Sequence, residues 1–156
     1  SSWMVARRMR AIGPWRLKGN VVRGFQRGSK QLGWPTANLD PKAFEHDLDQ
    51  HAEGVYVGFA KTKDDQVHKA VLSLGWNPFY KNEQRTLEAY IDHKYDADFY
   101  GAEMTLLVCA FVRPQQDFSS LEELVDAISA DISFGLAQLD QEPWCLFRHD
   151  DIFSAT

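Results

Sequence analysis

The stretch MTLLVCAFVRPQQDFSSLEELVDAISADISFGLAQL, residues 104–139, changes its hydrophobic period halfway along. Met104 to Val112 is a continuous apolar run of strand length, rich in the residues that suit a pleated surface. From Leu121 onward apolar side chains recur at Leu124, Val125, Ile128, Ile132, Leu136 and Leu139, which is one face of a 3.6-residue helix. Two S-x-x-E capping patterns, Ser119 with Glu122 and Ser120 with Glu123, mark the start of that helix. Gly135 lies inside it and is expected to weaken or end it there. One strand followed by one late helix is an α+β order.

Working back from that stretch, strands dominate. Runs rich in β-branched and aromatic residues are predicted at 19–25, 54–61, 67–74 and 86–93, each bounded by Gly, Pro, Asn or Asp. With 104–113 they make several short strands joined by irregular loops, which suggests a mainly β fold: a small antiparallel barrel whose helix covers a face or an open end. No repeat and no linker divides the 156 residues, so they are expected to form one domain over 19–156 behind an N-terminal extension, 1–18.

Composition narrows the function. The chain is 44% hydrophobic and 25% charged, ordinary for a folded globular protein. Its longest apolar run is far below the roughly 20 residues of a spanning helix, so no membrane association is expected. Cys109 and Cys145 have neither disulfide-framework nor metal spacing, which reads as reduced thiols and a cytoplasmic protein. Residues 1–9 contain Arg and no acid, and a mitochondrial address is the alternative. The net charge of −5 conceals eight Lys/Arg and no Asp or Glu in residues 1–39. An anion is expected at the front of the chain, and the acidic remainder would repel nucleic acid.

Within VVRGFQRGSKQLGWPTANLD, residues 21–40, Gly24, Gly28 and Gly33 allow close backbone approach, and Arg23, Arg27 and Lys30 bring charge beside them. A phosphate would suit this loop, and so would a surface turn. Thr36 and Asn38, two apart in an extended segment, would project to the same side. A hydroxyl and an amide oxygen are hard ligands suited to Mg²⁺, although both could instead bond a local turn. In TLEAYIDH, residues 86–93, alternation puts Leu87, Ala89 and Ile91 on one face and Thr86, Glu88, Tyr90 and Asp92 on the other. Glu88 could act as a base toward an attacking hydroxyl, or could simply be solvated.

Taken together these segments resemble the riboflavin kinase family, in its eukaryotic monofunctional form. The resemblance rests on residues 21–38 with PTAN at 35–38, on GVYVGFA (54–60), VHKAVLSLGWNPFYKN (67–82), LEAYIDH (87–93), DFYG (98–101) and RPQQDFSSLEEL (113–124), in order and over most of the chain. It implies a six-stranded antiparallel barrel with a C-terminal helix, and transfer of the ATP γ-phosphate to the 5′-hydroxyl of riboflavin to give FMN and ADP. It implies that Gly24, Gly28, Ser29, Lys30 and Gly33 cover the ATP phosphates, and that Thr36 and Asn38 hold Mg²⁺, with Zn²⁺ or Mn²⁺ as alternatives. Thr36 would also touch the nucleotide, Glu88 would be the catalytic base, and Ile91, His93 and Tyr100 would line the nucleotide pocket. Arg113, Gln116 and Phe118 would face the flavin; Gln116 is neutral where a basic residue is expected. The partners implied are ATP and riboflavin alone, with a monomeric chain. A flavin-carrying oxidoreductase and a non-catalytic flavin-binding module are the other readings of the same barrel.

Overall fold

The computed structural model describes residues 5–22, 36–62, 66–76, 84–95 and 99–154. Six strands, β1 (Arg10–Val22), β2 (Thr36–Leu39), β3 (Gly54–Thr62), β4 (His68–Trp76), β5 (Arg85–Ile91) and β6 (Glu103–Pro114), are followed by one helix, α1 (Leu121–Leu139). The strands close into a barrel in the order β1-β2-β5-β4-β3-β6, and every neighbouring pair is antiparallel. Strands from distant parts of the chain thereby become neighbours: β2 pairs with β5.

The difference between continuous and alternating apolar patterns has a direct cause. On β3 and β6, Tyr56, Ala60, Leu106 and Val108 fill the barrel, while Val57, Phe59, Leu107 and Cys109 pack outward in a second core with Ile132 and Leu139 of α1. Strands buried on both faces need apolar residues at every position. On β5 only Leu87, Ala89 and Ile91 enter the interior, and Glu88 and Tyr90 lie on the outer face. Burial pushes the Cys109 thiol up to about 12, so this cysteine is a small core residue that donates to the Val57 carbonyl.

Three sequence expectations need correction. The first strand begins at Arg10, so residues 10–18, assigned above to an extension, form barrel wall. Trp15, Leu17 and Val21 point inward, but the outward Arg16 and Lys18 dilute their signal, and an irregularity in register between Ala11 and Trp15, where Gly13 has φ +70°, interrupts the alternation. Second, α1 runs straight through Gly135. The glycine is there for close approach: a Cβ would stand 2.7 Å from Val57 Cγ1 and 2.9 Å from Val71 Cγ2. Third, of the two capping patterns only Ser120 with Glu123 sets the start: the Ser120 hydroxyl accepts from Glu123 N, and the Glu123 carboxylate reaches back to the Ser119 N–H and hydroxyl.

The segment after Leu139, for which the sequence offered no role, seals the outer wall. Its 3-10 turns Trp144–His149 and Asp151–Phe153 bring Arg148 Nη1 to the Val67 carbonyl (2.8 Å) and the Phe153 carbonyl to Lys61 Nζ (2.9 Å). Arg16 pairs with Asp150 at 2.6 Å. Among the described residues no helix is long and apolar enough to cross a membrane.

Candidate active site

Strand pairing assembles the site. Asn38 and Glu88 are opposite one another on the β2–β5 ladder, Thr36 is opposite Tyr90, and on the other side of β5 Glu88 faces Ser73 of β4. Ala37 and Leu39 are inside the barrel, so the period of two leaves Thr36 and Asn38 on the outer face with Glu88. The expectation that these two side chains share a face therefore holds, and the ladder adds the carboxylate between them.

Glu88 is largely withdrawn from water. Burial raises its carboxyl pKa to about 7, opposed by the neutral side chains of Asn38 and then Thr36, which favour the charged form. The Thr36 hydroxyl is buried without a partner in full hydrogen-bonding geometry, so it acts on Glu88 as a nearby dipole rather than through a closed bond. Such a carboxyl is half-ionised near neutrality and suited to taking a proton.

The same three side chains present hard oxygens, one of them unpartnered. No group of three or more His, Cys, Asp or Glu able to hold a metal occurs among the described residues. A divalent cation bound here would take its remaining ligands from water and phosphate, which is how Mg²⁺ is commonly held in phosphoryl-transfer sites. The donor set fits that ion.

Thr36, Glu88 and Tyr90 stand at one wall of a cleft of about 670 Å³. The same cleft is lined by α1 and the segment 115–120 leading into it, including Gln116, Phe118 and Leu121. Arg113, at the end of β6, also lines it, with its guanidinium 5.7 Å from the Phe118 ring centroid. The volume lies in the range of small-molecule sites. Thus Glu88, Thr36, Arg113, Gln116 and Phe118, named from sequence, converge on one cleft.

Other expected site residues lie elsewhere. Ile91 belongs to the barrel interior, His93 stacks on His68 with centroids 4.1 Å apart, and Tyr100 is exposed; none of the three lines this cleft. Gly24, Gly28, Ser29, Lys30 and Gly33 lie outside the described residues. Sequence reasoning missed Ser73, which needed the β4–β5 register, and Asp131, buried beneath Arg113. An acidic residue between Ile128 and Ile132 on the apolar face of a helix was the available signal for the latter.

An antiparallel barrel carrying a buried carboxyl beside neutral oxygen-bearing side chains, at a cleft of metabolite size, suits a small-molecule kinase of the barrel type. The chain belongs to the riboflavin kinase family, a family of ATP-dependent kinases: the family model described as "Flavokinase: Riboflavin kinase" matches residues 12–139. It is 40% identical to mouse riboflavin kinase over 148 residues, covering 95% of both chains. It is 42% identical over 139 residues to a bifunctional riboflavin kinase/FMN phosphatase of Arabidopsis thaliana, where the match covers 89% of this chain and 37% of the plant protein. Among solved structures, riboflavin kinase from Trypanosoma brucei superposes with a TM-score of 0.70 at 29% identity, covering 91% of this chain and 90% of that one.

Proposed function

We propose that this chain transfers the γ-phosphate of ATP to the 5′-hydroxyl of riboflavin, giving FMN and ADP, with Glu88 as the general base. The observation that carries the reading is the withdrawal of Glu88 from water at the cleft wall, with a carboxyl pKa of about 7 and the neutral Asn38 and Thr36 beside it. A base of that strength accepts the hydroxyl proton as the oxygen attacks, and a larger shift would leave it protonated at neutral pH. Thr36 and Asn38 would hold Mg²⁺, which when bound neutralises phosphate charge; Zn²⁺ and Mn²⁺ are compatible with the same oxygens.

The chain's own groups then have separate tasks. Asn38, opposite Glu88 on the ladder, favours the charged form of its carboxylate. Phe118 and Arg113 offer an aromatic face and a planar cation to a flat acceptor ring on the far side of the cleft. Gly24, Gly28, Ser29, Lys30 and Gly33 would cover the nucleotide phosphates, and Ile91, His93 and Tyr100 would stand on the nucleotide side. Phosphoryl transfer asks little covalent chemistry of the protein, so alignment and charge neutralisation supply most of the acceleration.

Incubation with ATP, Mg²⁺ and riboflavin, followed by chromatography of the flavin, tests the reading. FMN formed in step with ADP is expected. Riboflavin bound but unchanged would instead favour a flavin-binding module, and flavin reduced by NAD(P)H a flavin oxidoreductase.

A further inference from the structure

Asp131 is a carboxylate on the apolar side of α1 with its side chain 4% exposed. An ionised group at that depth requires close partners. They come from two distant parts of the chain. Arg113 grips it with two bonds, Nε to Oδ1 and Nη2 to Oδ2, both 2.8 Å. Arg7 adds a third, Nε to Oδ1 at 2.8 Å, and directs its other nitrogens to the Val5 and Ala127 carbonyls. The segment carrying Arg7 is itself docked on β6, since Val5 is buried and Arg8 N donates to the Val112 carbonyl at 3.1 Å.

Arg113 is also where the cleft segment departs from the barrel. Its Nη1 donates to the Pro114 carbonyl at 3.1 Å, and its guanidinium lies over Phe118. A bidentate pair fixes the plane of a guanidinium, whereas a lone arginine would sample many rotamers. The carboxylate therefore sets Arg113, and Arg113 sets the start of the segment that faces the acceptor.

We propose that Asp131 is a positioning residue for the acceptor side of the cleft and that Arg7 completes its grip, making the N-terminal segment part of the acceptor subsite's support. This rests on the reading of Arg113 and Phe118 as the riboflavin side. A carboxylate held by Arg113 alone keeps its charge pair but loses the bridge that ties helix, strand end and N-terminal segment into one unit. The consequence falls on acceptor binding, because Glu88, Thr36 and Asn38 are carried by β2 and β5, on strands other than the one that bears Arg113.

The test compares the unaltered chain with Arg7→Ala, Arg7→Lys and Asp131→Asn, measuring KM for riboflavin and for ATP, kcat, thermal melting, and riboflavin binding by flavin fluorescence without ATP. Arg7→Ala is expected to raise the riboflavin KM and dissociation constant roughly fivefold while the ATP KM and kcat stay within about twofold. Asp131→Asn, which removes the charge that holds both arginines, should shift the same two quantities by more than roughly tenfold, and Arg7→Lys, which keeps the charge on a single donor nitrogen, should recover part of the Arg7→Ala loss. Should Asp131→Asn fail to fold, the Arg7 pair decides alone. Equal changes in both KM values, a change in melting temperature with no change in riboflavin binding, or no change at all would overturn the proposal. Absence of FMN from the wild-type chain would instead defeat the kinase reading, and fluorescence titration would still report on Arg7.

Discussion

Asn38 and Glu88 are direct partners across the β2–β5 ladder, and the amide is the foremost group favouring the charged form of a carboxyl that burial pushes toward neutrality. The two residues are 50 positions apart in sequence, and only the barrel order makes them neighbours. The candidate site thus depends on a four-residue strand, Thr36–Leu39, whose inward residues anchor it in the core while Thr36 and Asn38 lie outward on the face of Glu88.

The raised pKa of Glu88 has a consequence for stability. Its folded value, about 7, lies above the ordinary 4.5, so between these pH values the folded chain holds a proton that the unfolded chain has lost. Stability from this group is full below pH 4.5, declines as pH rises toward 7, and is lost above it, by about 1–3 kcal/mol. Glu88→Gln should therefore melt higher than wild type above pH 7, with the gap closing toward pH 4.5. A variant that melts lower than wild type throughout that range would contradict the desolvation argument.

Thr36→Ala removes a buried hydroxyl that has no closed hydrogen bond to lose. The fold should tolerate it, with melting shifted by less than about 3 °C. The Mg²⁺ concentration for half-maximal rate should rise several-fold, by roughly 1 kcal/mol of lost ligation. An unchanged Mg²⁺ titration would remove Thr36 from the metal site.

How far the sequence reached depends on whether a signal was local. Strand β3 and the first turn of α1 were legible because burial on two faces and a Ser-Glu cap are written in neighbouring residues. Strand β1 was half hidden, since Gly13-Pro14 reads as a break although the barrel accommodates it as an irregularity in register. Glu88 stood out as a mid-strand carboxylate, but its desolvation arises from packing, which alternation alone does not reveal. The bond from Arg7 to Asp131 spans 124 positions, and nothing local announces it.

Gly135 offers a separate check on the packing of helix against barrel. In an exposed helix, alanine at this position would gain about 1 kcal/mol from propensity alone. Here the added methyl collides with Val57 and Val71, and Gly135→Ala should destabilise by about 1–3 kcal/mol. Chemical denaturation reads the sign directly; a stabilised variant would mean that α1 does not lie this close to β3 and β4.

The most direct test of Glu88 as base is single-site kinetics of Glu88→Gln, with FMN formation followed by chromatography and ATP binding measured separately. The amide keeps the shape and cannot take a proton at neutral pH. kcat is expected to fall about 10²- to 10⁴-fold with ATP affinity nearly intact. Turnover within a few-fold of wild type would contradict it.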